Sequence, residues 1–130
     1  MDAELNSKLI SIFREKCKSN DLVEKIYNKT ISLQELEEIG LDKPLQDLKP
    51  LNAYLLGLAY HLGSGVPFDK RKGESYFKYV KEKGNEMVLF DLALAYSSLD
   101  GYEEEAKWCL KEAANMGHSV AQDILDKKYI

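Results

Sequence analysis

Leu56-Gly57-Leu58-Ala59-Tyr60 recurs 36 residues later as Leu92-Ala93-Leu94-Ala95-Tyr96, identical at four of five positions. A second set recurs at a spacing of 33, with Gly73, Tyr76, Phe77, Val80 and Gly84 answering to Ala106, Cys109, Leu110, Ala113 and Gly117. The three-residue difference falls between the two sets, where Gly63-Ser64-Gly65-Val66-Pro67-Phe68 is longer than Leu99-Asp100-Gly101-Tyr102. Self-similarity at this period points to helical hairpin repeats, units too small to bury an apolar face alone. The count continues past Gly117: Leu92 and Tyr96 map onto Leu125 and Tyr129, so a third unit begins there and runs to Ile130. Asp126, Lys127 and Lys128 then supply the polar character that a terminal turn needs when no further unit covers it.

Local chemistry agrees with paired helices. Tyr76, Phe77 and Val80, and again Cys109, Leu110 and Ala113, recur three and four apart and paint one apolar stripe along a helix. Pro50 suits a first helical turn, where its missing N–H costs nothing, and Gly63, Gly84, Gly101 and Gly117 fall at ends or turns that often require positive φ. Small residues at Gly57, Ala59, Ala93, Ala95, Ala113 and Ala114 allow close helix approach. No stretch alternates as a surface strand does.

The first fifty residues read as helical without repeating. Leu5, Leu9, Ile12, Phe13 and Cys17 form one face of an opening helix, and Leu22, Val23, Ile26 and Tyr27 mark a shorter one. Ser32 and Glu35 have capping-box spacing, starting a third helix with Leu33 and Leu36 that stops at Gly40. The expected organisation is a single all-α domain: amino-terminal helices over 1–49, one repeat over 50–84, a second over 85–117 and a partial capping repeat over 118–130.

Composition narrows the function. The chain has 130 residues, 45% of them hydrophobic, with 22 acidic against 18 basic residues and a net charge of −4. That balance argues against nucleic acid as a ligand, and Lys70-Arg71-Lys72 reads as a solvated helix end. The chain has no apolar run of bilayer length and opens Met1-Asp2-Ala3-Glu4, so a cytosolic protein with no membrane contact is expected. Cys17 and Cys109 lie far apart and suit two reduced thiols. Neither His61 nor His118 has a second ligand at metal spacing; His61 reads as a groove or packing residue and His118 as part of a helix start. Glu103-Glu104-Glu105 reads as a helix start that meets the dipole favourably, and Trp108 as either an interface anchor or a half-buried residue between repeats. No phosphate cradle or nucleophile elbow is present, so no enzyme, metal or cofactor is expected.

The run Ala53-Tyr54-Leu55-Leu56-Gly57-Leu58-Ala59-Tyr60-His61-Leu62-Gly63-Ser64-Gly65-Val66, followed by Asp69, Lys72-Gly73 and Tyr76-Phe77, resembles the Sel-like repeat, a relative of the tetratricopeptide repeat. Glu105 to His118 is similar to that family's second helix and closing glycine. The likeness covers about residues 50 to 130; Gly73 departs from it, standing where Ala is usual, and the second unit lacks most of the GxGV loop. The resemblance implies a short α-solenoid of stacked antiparallel hairpins that binds protein without cofactor or catalysis. If Leu56, Gly57 and Tyr60 pack between helices as in similar repeats, helical spacing turns Leu51, Tyr54, Leu58 and His61 to the inner, concave side. The same spacing selects Met87, Phe90, Leu94 and Ser97, then Val120 and Asp123. So apolar a face is either covered by the amino-terminal helices or reserved for a partner, and an intermediate arrangement leaves Tyr54, His61, Phe90 and Ser97 accessible. The expected partner set is Tyr54, Leu58, His61, Met87, Phe90, Ser97 and Asp123. The expected function is inhibition of a basic toxin or enzyme in the manner of bacterial immunity proteins, with an adaptor or scaffold subunit as the alternative.

Overall fold

A computed structural model describes residues 3–126, and among these the chain is entirely helical, without strands. Helix α1 runs Ala3–Ser19, α2 Asp21–Tyr27, α3 Leu33–Ile39, α4 Pro50–Leu62, α5 Lys70–Lys83, α6 Glu86–Ser97, α7 Glu103–Asn115 and α8 Ser119–Leu125, with a 3-10 turn at Leu45–Asp47. Tyr129, Lys127 and Lys128 lie outside the described residues. Packing divides the chain into two compact units: Lys16–Lys83, and the residues up to Glu15 together with those from Gly84 onward. The second boundary coincides with the expected seam between the two repeats.

In the Lys16–Lys83 unit, α4 and α5 form the principal pair, and α2 and α3 pack on α4. Side-chain chemistry sets the ends of these elements. Ser32 accepts from the Glu35 N–H at 3.1 Å while Glu35 accepts from the Ser32 N–H at 3.0 Å, the reciprocal capping box that the spacing predicts. Pro50 occupies the first turn of α4, and Gly63 closes it in the left-handed region at φ 63°. Tyr79 Oη donates to the Leu48 carbonyl at 2.8 Å and Asn52 Nδ2 to the Ile39 carbonyl at 3.0 Å, tying the segment before α4 to the pair. Leu36, Ile26, Leu56, Leu58, Phe77 and Val80 are fully buried, whereas Tyr27 and Leu33, apolar positions of α2 and α3 in the sequence, are about half exposed.

In the other unit α6 pairs with α7, and α7 with α8. Asn85 caps α6 by accepting from the Met87 and Val88 N–H groups, both at 3.1 Å. Glu103, Glu104 and Glu105 fill the first turn of α7, where carboxylates meet the positive end of the helix dipole. Leu92, Ala93, Leu94, Ala95, Leu110 and Ala113 are fully buried, as are Leu9 and, to 2% exposure, Phe13 from α1. Gly63, Gly101 and Gly117 take positive φ as expected; Gly84 does not, because Asn85 opens the next helix at once.

The two tyrosines of the repeated pentapeptide are both buried and both stacked on another tyrosine, but the partner differs. Tyr60 lies 5.8 Å from Tyr76 of α5 and Tyr96 lies 5.3 Å from Tyr102, the residue before α7. The counterpart of Tyr76 is Cys109, too small to fill the space, so the aromatic ring comes from the turn instead. A compensation in volume accompanies it. A Cβ on Gly57 would stand 2.7 Å from the Phe77 ring and 3.0 Å from the Tyr76 Cβ, so α4 can meet two aromatic residues only without a side chain there. At the matching places the second pair carries Ala93 with Cys109 and Leu110: a larger residue on one helix and smaller ones on the other.

Gly57→Ala should therefore destabilise the protein by about 1–2 kcal/mol, the overpacking cost exceeding the roughly 1 kcal/mol helix preference for Ala over Gly. In urea denaturation the substitution should cost less when Phe77→Leu is also present; equal costs in both backgrounds would show the two positions to be uncoupled. The capping box makes a separate prediction. The hydrogen bond from Lys25 Nζ at 2.7 Å, with those from Ser32, holds the Glu35 carboxyl down at about 2. Because the folded value is depressed, the contribution is complete above the ordinary value of 4.5 and is lost as pH falls toward about 2. The stability difference between wild type and Glu35→Gln should shrink across that window in urea titrations.

Candidate functional site

The expected partner residues divide by burial. On α4, Tyr54 is 3% exposed, Leu58 0% and His61 8%; on α6, Phe90 is 2% exposed and Ser97 6%. Met87, at the start of α6, is 55% exposed, and Asp123 of α8 is exposed. The intermediate arrangement, with Tyr54, His61, Phe90 and Ser97 accessible, does not occur. The elements packed on α4 are α2, α3 and α5. Tyr54 and His61 both lie face to face with Phe77, at 6.4 and 4.7 Å between ring centroids. The α4 part of the expected face is thus interior, which leaves Leu51, 45% exposed at the amino-terminal end of the helix, at the surface.

The placement of His61 explains the departure at Gly73. A Cβ on Gly73 would stand 2.5 Å from His61 Cδ2 and 2.9 Å from Nε2, so the imidazole occupies the volume that an alanine would need. At the corresponding positions the second pair has Ser97 and Ala106, a smaller residue facing one with a Cβ. The Ser97 hydroxyl turns back along its own helix and donates to the Leu94 carbonyl at 2.6 Å. Burial pushes the His61 pKa below its ordinary value and Lys70 lowers it further, with Glu74 opposing them. The signal was present in the aligned repeats: glycine stands at 73 where the facing residue is the large His61, and alanine at 106 where it is the small Ser97.

In the other unit α6 repeats the pattern of α4, with Met87 exposed as Leu51 is and Phe90, Leu94 and Ser97 buried, and α8 adds Val120 and Asp123 at the surface. Phe90 stacks on His118 at 4.2 Å, and His118 is the N-cap of α8, its Nδ1 accepting from the Ala121 N–H at 3.1 Å. That double engagement fixes the start of α8 against the first half of α6. Helical spacing puts Met87 one turn before Phe90, while Val120 and Asp123 follow His118 on α8. Met87 and Val120 are 55% and 46% exposed and Asp123 is exposed, so two apolar side chains and a carboxylate reach the surface on the two helices that the Phe90–His118 stack joins. Sequence reasoning included Met87 and Asp123 but treated all the positions as one face, because periodicity cannot say which turns of a helix are covered. Trp108, 46% exposed, sits among Glu104, Lys107 and Lys111 on α7.

Cys17 and Cys109 are both buried free thiols, and burial together with Glu24 raises the Cys17 pKa, which disfavours the reactive thiolate. Among the described residues no cluster of three His, Cys, Asp or Glu side chains could hold a metal ion, and no helix is long and apolar enough to cross a membrane.

The buried imidazole makes stability depend on pH with a definite sign. A base whose folded pKa is depressed leaves stability intact above about 6.5 and lowers it as pH falls below that value, because the unfolded chain takes up the proton first. Replacing His61 and Gly73 together by the second pair's residues, His61→Ser with Gly73→Ala, should flatten urea midpoints between pH 7 and 5 relative to wild type. An unchanged slope would place the titration elsewhere. Compared with known proteins, the chain matches no family model, and neither a curated protein nor a solved structure is significantly similar to it.

Proposed function

We propose that this chain is a non-catalytic protein-binding module, a short stack of antiparallel helical hairpins of the Sel-like kind that acts in the cytosol of a bacterium without cofactor. Its most concrete role is inhibition: it covers a basic surface of a toxin or enzyme, as immunity proteins do. The observation that carries this reading is the exposed pair Met87 and Val120, with Asp123, in the unit formed by the residues up to Glu15 and from Gly84 onward. Those parts of the chain hold twelve of the 22 acidic residues and only six of the 18 basic ones. Apolar anchors within an acidic field combine the two features that give an interface its affinity and its fast, steered encounter. The repeated pentapeptides, each on a helix packed with its successor, support the scaffold part of the reading.

An adaptor that joins two proteins is the second reading. It is favoured by the opposite balance of Lys16–Lys83, which carries twelve basic against ten acidic residues and so presents a different electrostatic character.

Because Tyr54 and Phe90 are buried, a glutamate at either would unfold the chain before it tested binding; Met87 is the clean probe. Co-purification with the product of a neighbouring gene should weaken at least tenfold on Met87→Glu, with the helical circular dichroism spectrum unchanged. Loss of the partner's activity in the complex supports the inhibitor, and retained activity the adaptor. Failure of any neighbouring product to bind would overturn the proposal.

A further inference from the structure

We propose that the outward face of α5, with Phe68 beside it, docks an acidic segment of a partner protein that carries an aromatic or apolar residue among its carboxylates. This rests on the reading of the chain as a protein-binding module, but not on the acidic unit's own target. Between Lys70 and Lys83 stand six Lys or Arg residues and two Glu, in a chain whose net charge is −4. The buried line of α5 is Gly73, Phe77 and Val80; helical spacing puts Arg71, Ser75 and Lys78 opposite it, and all three are exposed. Phe68, just before the helix, is 65% exposed, more than any other large apolar side chain among the described residues.

Phe68 is held in place, not loosely tethered. Its backbone lies against Gly63, the following Asp69 N–H donates to the Tyr60 carbonyl at 3.1 Å, and Asp69 Oδ1 accepts from the Lys72 N–H at 3.1 Å. The Lys72 ammonium in turn sits 5.3 Å over the Tyr60 ring, which stacks on Tyr76. An exposed aromatic side chain on a held backbone, followed at once by a helix of exposed cations, offers an anchor and a charged rim before a partner arrives.

Charge complementarity selects the partner. The α5 cylinder is about 21 Å long at a rise of 1.5 Å per residue. A nucleic acid or an anionic bilayer extends well past that length and would meet a chain that is acidic on balance. A short peptide segment meets α5 alone, and screening over about 8 Å at physiological salt hides the rest from it.

The test is fluorescence anisotropy of a labelled peptide of roughly twelve residues, a single Phe among Glu and Asp, titrated with the full chain. Binding should fall steeply with salt, weaken at least tenfold in Arg71→Glu/Lys78→Glu and several-fold in Phe68→Ala, and survive Met87→Glu. Circular dichroism confirms that each variant is folded. No saturable binding, or equal binding by wild type and the charge-reversed variant, would overturn the inference. So would tighter binding of oligo-dT or of phosphatidylserine vesicles than of the peptide. If peptide binding holds while no neighbouring gene product co-purifies, the acidic-surface reading fails and this one stands; the reverse result separates them equally well.

Discussion

The closeness of α4 and α5 at Gly57 is the constraint on which the Lys16–Lys83 unit is built. Two aromatic residues of α5 press against a stretch of α4 that has no side chain to offer, and the contact decides which rings can be large. Phe77 takes up the resulting space and becomes the platform for Tyr54 and His61, which lie about one turn before and one turn after Gly57 on α4. His61 then needs Gly73 opposite it. A single glycine thus propagates through close packing into the identity of several neighbours, because interiors at crystal-like density cannot absorb an extra methyl without movement.

The second pair solves the same problem with the bulk redistributed. Ala93, Cys109 and Leu110 stand for Gly57, Tyr76 and Phe77, while Ser97 and Ala106 stand for His61 and Gly73. Tyr96 keeps its place and its stack, but borrows the ring from Tyr102. At both contacts one helix gains a methyl group where the facing helix gives up a ring or part of its bulk.

Burial and charge together separate the two faces on which the functional reading relies. Along α4 the inward residues are sealed by neighbouring helices, so their apolar character serves the core. Along α6 they are sealed likewise, and the expected face reaches the surface only at Leu51 and Met87, the first positions of the two helices, and at Val120 and Asp123 of α8. The basic side chains gather instead on α5, at its solvent face. Neither segregation is visible in the net charge of −4, which averages over both.

The amino-acid sequence by itself determined the helices, their caps and the pairing of each repeated pentapeptide with the helix that follows, because periodicity, capping chemistry and glycine placement act over a few residues. Ser32, Pro50, Asn85 and His118 act within one turn of where they stand, and those at 32, 50 and 118 could be read at sight as helix starts. Only the tertiary structure decided that Tyr54, Leu58, His61, Phe90 and Ser97 are interior while Met87 and Asp123 are not. Which turns of a helix lie covered depends on elements distant in the chain, such as α2 and α3 over α4, and a repeat pattern records a side chain's direction without recording what stands in front of it.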